Sequence, residues 1–315
     1  SPTQIVVIAG PAFWPSEGDV VVISTSYGET VRVNAFSYSP QFLLTVNSAS
    51  AAVTPAPGSH GYSPGAAVTN SAASPAVFGS TQFISRGWAM DGNDPTGGAS
   101  TSFVMTLTND ATLTWLWNTN YWLAVTNGPN GAVSTGSGWQ AAGAVPAVAA
   151  TASVYYVFTN WLGDVPGGQV CSNPLFLLID APKSIEARFA AQATTNTGTP
   201  LWWLATNGWT GDFEAAATND GDADGAANWH EFLADTLPTN AASYLHMTRI
   251  VFTGGQVRVE WRGGTSVTQY LERAGSLTGL PWTIRRTNAP PTTVTNLYLD
   301  TLDLTNAFYR LRVVR

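Results

Sequence analysis

The chain reads as mainly β, built from tandem small antiparallel β modules, a short helical segment around an acidic loop, and a C-terminal antiparallel β domain. Three observations predict this. Apolar and polar residues alternate through most of the sequence, with β-branched and aromatic enrichment and turn signals about every 8–12 residues. The same order of strand and turn motifs occurs twice within residues 41–190. Helical patterning is confined to the stretch around D-G-D-A-D-G at Asp220–Gly225.

Composition bounds the classes open to it. Only 10% of the 315 residues are charged, yet 44% are hydrophobic and 13 are Trp, enough to build cores rather than a disordered chain. Residues 1–245 hold 16 acidic and 4 basic side chains (net −12), residues 246–315 hold 4 and 9 (net +5), in agreement with the overall −7. A negative body argues against nucleic acid as a partner. The basic end makes head-to-tail self-association a candidate, beside the plainer reading of a solvated surface. The single Cys171 forms no internal disulfide, no apolar run is long enough to span a membrane, and Ser1 opens no signal-peptide pattern. Either the chain begins at a processed terminus or it is a piece of something longer.

Residues 1–40 read as the second half of a β repeat. Phe13–Trp14 stand at an aromatic–Trp position, P-S-E-G-D (Pro15–Asp19) is a loop, and Val20–Phe36 is a closing hairpin. Its missing strands leave an open edge. A fragment end, a degenerate cap, or completion by a strand of another molecule would each account for it.

Full repeats are expected at 41–118 and 119–190. Each opens with a strand, F-L-L-T-V at Phe42–Val46 and W-L-A-V at Trp122–Val125. A Gly-rich turn and short strand follow, ending at Val68 and Val145, then an aromatic strand ending at Trp88 and Trp161. An Asp/Pro/Gly loop comes next, and a closing hairpin spans Phe103–Trp117 or Leu175–Phe189. Recurrent Trp88 and Trp161 suit a core position better than a sugar-stacking platform. This succession of motifs, ending in A-x-F, resembles the divergent internalin B-type repeat. The resemblance covers residues 1–190 and implies a bacterial surface or secreted protein whose modules serve spacing, adhesion or display.

Residues 191–244 form a linker carrying a candidate calcium loop. Pro200 precedes a short helix in L-W-W-L-A, and Asp212 is placed to cap a second helix over F-E-A-A-A. From Asp220 the sequence D-G-D-A-D-G-A-A-N-W-H-E sets oxygen side chains at loop positions one, three, five, nine and twelve: Asp220, Asp222, Asp224, Asn228 and Glu231. Gly225 takes the sharp turn at six, and position seven, Ala226, offers its backbone carbonyl. Three carboxylates crowded into five residues repel one another unless a cation neutralises them, and Ca2+ seeks six to eight hard oxygens. The alternative is a solvated acidic turn. Trp229, Phe232 and Leu233 are expected on one face of an exiting helix that stops at Leu237–Pro238. The layout resembles the single calcium motifs of dockerin-like and EF-hand-like linkers, although Leu237 stands where a further acidic residue is usual.

Residues 245–315 return to alternation. Val257, Val259 and Trp261 face one way, Arg258, Glu260 and Arg262 the other. Tyr270–Trp282 and Phe308–Val314 supply further strands and resemble a terminal β module of secreted bacterial proteins. Arg310 and Arg312 share a face suited to an anion or to salt bridges.

No catalytic constellation emerges. His60, His230 and His246 are scattered, and no nucleophile elbow, phosphate loop or dinucleotide fingerprint occurs. The Asp91/Asp94 pair lies in turn chemistry. The expectation is therefore a non-catalytic structural or adhesive protein, secreted or at the cell surface, with partner-strand completion of the half repeat as a route to filaments. The alternative is a carbohydrate-binding accessory region of a larger secreted enzyme, with polysaccharide as partner.

Overall fold

The computed structural model describes residues 16–278, 281–301 and 306–315. The chain falls into two compact units. Of the described residues, one takes in 16–126 with Val133–Ala149 and Trp161–Glu186; the other takes in Asn127–Ala132, Ala150–Asn160 and those from Ala187 onward.

β1 (Ser16–Ser24) and β2 (Gly28–Tyr38) form a two-stranded antiparallel sheet. The expected hairpin over Val20–Phe36 is present, but Ser16–Asp19 belong to its first strand rather than to a loop. A register shift between Gly18 and Val20 is held by Asp19, whose Oδ1 accepts the Asn34 amide at 2.8 Å. The aromatic–Trp position at Phe13–Trp14 lies outside the described residues. Ile23 and Val33 are exposed, at 75% and 66%.

The first repeat comprises β3 (Phe42–Asn47), β4 (Val53–Thr54), β5 (Gly58–Tyr62), β6 (Ala67–Ala72), β7 (Ala76–Phe78), β8 (Thr81–Asp91), β9 (Gly97–Gly98), β10 (Ser102–Thr106) and the start of β11 (Ala111–Asn127). β3 pairs antiparallel with β5 and parallel with Ala111–Thr114 of β11; β8 runs antiparallel along β11, with Trp88 opposite Trp115. A separate sheet has the order β10–β6–β4. Leu44, Val46, Val68, Trp88, Met105, Leu107, Leu113 and Trp115 share one buried core.

The second repeat opens on the end of β11 and continues through β12 (Gly131–Val133), β13 (Gly138–Ala141), β14 (Ala147–Val148), β15 (Ala150–Ala152), β16 (Tyr156–Gly163), β17 (Leu175–Phe176) and β18 (Lys183–Ala191). Its pairings repeat those of the first. β13 on β11 matches β5 on β3, β17 on β14 matches β10 on β6, and β15 on β12 matches β6 on β4. One uninterrupted strand, β11, thus closes the first copy and begins the second.

Two further expectations are corrected. The closing segments of the full repeats are not hairpins: β10 pairs with β6 while β11 pairs with β8 and β3, and β17 pairs with β14 while β18 lies between β16 and β11. Phe103 and Met105 on one strand and Leu113 and Trp115 on the next approach the same core from different sheets, so the connection changes sheet instead of folding back. Val145 is also not the counterpart of buried Val68. Gly65 donates to the Leu107 carbonyl at 2.8 Å and Gly143 to that of Ile179 at 2.7 Å, a register that puts Pro146 at the Val68 position and leaves Val145 exposed.

In the other unit, α1 (Leu201–Thr206), α2 (Phe213–Thr218) and α3 (Asn228–Ala234) surround the acidic loop. Six strands follow: β19 (His246–Thr253), β20 (Gln256–Arg262), β21 (Thr268–Ala274), β22 (Thr283–Asn288), β23 (Thr295–Thr301) and β24 (Phe308–Val314). They form sheets β19–β20–β23 and β22–β21–β24 around Val257, Val259, Trp261 and Leu271. Buried Asp300 accepts hydrogen bonds from Arg273, Arg285 and Tyr309, so its charge is paired within this core.

Candidate metal centre

The acidic loop hangs between two short helices that pack on aromatic residues. Asp212 caps α2, its Oδ1 accepting the Ala215 amide at 3.0 Å as expected. Trp203, Leu204, Ala216 and Ala217 form a small core with Trp202, Trp209, Phe213, Trp229 and Phe232 packed on it. Leu233 does not join Trp229 and Phe232 on that core but is 38% exposed. The helix also stops earlier than Leu237: α3 ends at Ala234 because Asp235 turns left-handed, φ 57°. Asp235 Oδ2 accepts the amides of Thr265 and Ser266 at 3.0 and 2.8 Å, fastening the helix end to the following β sheets. Gly264 must be glycine there, since a Cβ would strike the carbonyls of Ala234 and Asp235.

Within the loop, the Asp220 carboxylate accepts the amides of Ala223, Asp224 and Gly225 at 2.8, 3.2 and 2.8 Å. Gly225 adopts φ +94°, the left-handed turn that its place in the sequence predicts. Asp220, Asp222 and Asp224 each bring an oxygen within 4.8 Å of the other two. Glu231 stands outside that tightest trio, yet all three aspartate charges bear on it.

The polar atoms with no partner set this cluster apart from a solvated turn. Both Asp222 oxygens, Asp224 Oδ2, Asn228 Oδ1 and Glu231 Oε2 are buried and accept no hydrogen bond. Asn228 is 0% exposed and Glu231 1%. Asn228 is fixed by its amide group, which donates to the Ala216 carbonyl at 2.7 Å, so its oxygen is the atom left over. Leaving buried oxygens unpaired costs about 1–3 kcal/mol each, more for a carboxylate, which a bound cation would offset.

Electrostatics agree. Burial, then the charges of Asp222 and Asp224, push the Glu231 carboxyl up to about 8, against the hydrogen bond from Thr236. The Asp222 carboxyl is raised by burial and by Asp224; the backbone at Asp224 and Asn240 offsets part of this without a hydrogen bond of good geometry. Carboxylates arranged to resist ionisation, with oxygen atoms to spare, fit a hard divalent cation. Asp220, Asp222, Asp224, the Ala226 carbonyl, Asn228 and Glu231 are the residues that would hold it. Sequence reasoning missed Thr236, whose hydroxyl lies 3.5 Å from Glu231 Oε1; no spacing rule marks it.

The other candidates resolve as structure. Trp88 and Trp161 are buried, and the Trp88 ring stacks on Phe103 at 3.6 Å between centroids, so neither offers a sugar platform. Arg310 and Arg312 both bond to Glu272, at 2.7 and 2.9 Å, and lie over the rings of Trp282 and Tyr270. His60 and His246 bond to backbone carbonyls of Ala56 and Tyr244, and His230 is exposed.

Residues 121–193 match the family described as Divergent InlB B-repeat domain, which is a repeat associated with bacterial surface proteins. The match covers the second repeat almost end to end. Comparison with curated proteins and with solved structures gives no match. Among the described residues, no helix is long and apolar enough to cross a membrane.

Proposed function

We propose that the chain is a non-catalytic structural or display segment of a secreted or cell-surface bacterial protein, stapled by one Ca2+ at Asp220–Glu231. The observation that carries this reading is the set of buried, unpartnered oxygens on Asp222, Asp224, Asn228 and Glu231 beside a surface-type repeat. The cation would satisfy the spare oxygens of a loop that the backbone already shapes, and Asp235 ties α3 to Thr265 and Ser266. An affinity on the order of 10⁻⁴–10⁻³ M would suit calcium-rich surroundings outside the cell. Limited proteolysis of the whole chain tests the staple: calcium should protect residues 191–244 from cleavage, and equal cleavage with calcium and with chelator contradicts it.

We infer that the N-terminal hairpin also supports self-association. Exposed Ile23 and Val33 give hairpin β1–β2 an apolar surface that a further strand or copy would cover. Sedimentation should then depend on concentration, and Ile23→Asp with Val33→Asp should abolish that dependence. A wild-type chain that stays monomeric at all concentrations removes this part.

A further inference from the structure

A cavity of about 340 Å³ opens beside the acidic loop. Asp224, Glu231, His230 and Thr236 are its polar walls, and Leu233, Tyr244, Leu245 and Val313 are among its apolar ones. One water fills ~30 Å³, so a hydrated cation leaves most of this space free. Asp220 and Asp222 are not among its walls: the cavity meets the cluster from the Asp224–Glu231 side only.

We propose that this cavity is a calcium-dependent binding site for a neutral polyhydroxylated ligand of pyranose size, resting on the metal reading above. Charge selects the ligand class. With Ca2+ bound and all four carboxylates ionised by it, Asp220, Asp222, Asp224 and Glu231 leave the site a net −2. A carboxylate or phosphate arriving at that centre is repelled, and an ammonium has no lone pair for the metal. A hydroxyl satisfies both neighbours, its oxygen meeting the cation while its hydrogen bonds to a carboxylate oxygen. Leu233, Leu245 and Val313 add apolar surface to the cavity, and the Tyr244 ring, stacked on His246 at 3.9 Å between centroids, is held in place. The C–H face of a sugar ring suits such a surface, and an extended polar chain does not.

Saturation-transfer NMR on the whole chain tests this, with the methyl pyranosides of glucose, galactose and mannose as probes and acetate as the anionic control. Calcium binding is followed separately by calorimetry. At least one pyranoside should give signals with calcium that vanish on chelation. Leu233→Trp, a substitution at a half-exposed wall residue, should bind that pyranoside about tenfold more weakly or worse while keeping its calcium. Calcium binding with no pyranoside signal overturns the proposal and leaves the metal reading intact, as does pyranoside binding indifferent to chelator or to Leu233→Trp. Acetate taken in preference to every pyranoside overturns it as well. Absence of calcium binding removes both.

Discussion

The Ala226 amide donates to Asp224 Oδ1 at 2.8 Å, which holds the carboxylate so that its other oxygen is buried with no partner. The backbone thus fixes the side chain before any ligand arrives. That preorganisation is the physical content of the metal reading, because the cation then orders little that is not already in place.

Calcium should raise thermal stability by mass action. With a dissociation constant on the order of 10⁻⁴–10⁻³ M, 10 mM calcium would contribute about 1.4–2.7 kcal/mol. Trp209 packs against Gly221 of the loop and Trp229 begins the exiting helix, so Trp fluorescence can follow the transition. Asp224→Asn should lose most of the calcium-dependent rise in Tm, and a rise of wild-type size in that variant contradicts the assignment.

Each full repeat has a left-handed glycine pressed against the backbone of a neighbouring segment. Gly92, at φ +86°, lies against the Asp110 carbonyl, and Gly163, at φ +95°, lies against that of Ser184. A methyl group at either position collides with backbone as well as straining the left-handed conformation. Gly163→Ala and Gly92→Ala should each lower stability by about 3 kcal/mol, read as a shift in the urea midpoint. A loss below about 0.5 kcal/mol at either would show that the close approach is not real.

Ala223 offers the opposite case. It is exposed with φ 64°, a conformation that L side chains disfavour by about 1–2 kcal/mol. Ala223→Gly should stabilise the chain by about 0.5–1 kcal/mol after glycine's greater unfolded-state entropy is allowed for. Urea unfolding in the presence of chelator isolates this effect from the metal.

The terminal β region was legible strand by strand because Val257, Val259 and Trp261 alternate with Arg258, Glu260 and Arg262, and burial follows that period. Strand partners were not. Alternation fixes which face is buried but not which edge pairs, so β10 and β17 read as halves of hairpins although each lies in another sheet. The metal-loop side chains were legible because their spacing is local. Thr236, Leu245 and Val313 were not, because each reaches the site through tertiary folding that leaves no period in the sequence.

Glu272 should give the terminal sheets an acid-labile component. Burial alone would raise its carboxyl, but hydrogen bonds and charges from Arg312 and Arg310 outweigh it and hold the carboxyl below its ordinary 4.5. A depressed folded-state value means stability fully present above 4.5 and lost as pH falls through the folded value. The stability gap between wild type and Glu272→Gln should therefore be constant near neutrality and narrow in acid. Urea midpoints of both proteins across that range check it; a gap that widens on acidification refutes the pairing.

Calcium stoichiometry measured by isothermal titration of the chelator-treated whole chain bears most directly on the central claim. One Ca2+ per chain is expected, with binding abolished in Glu231→Gln and in Asp222→Asn. No binding to the wild type, or binding unchanged in both variants, would contradict a cation held by the buried oxygens of this loop.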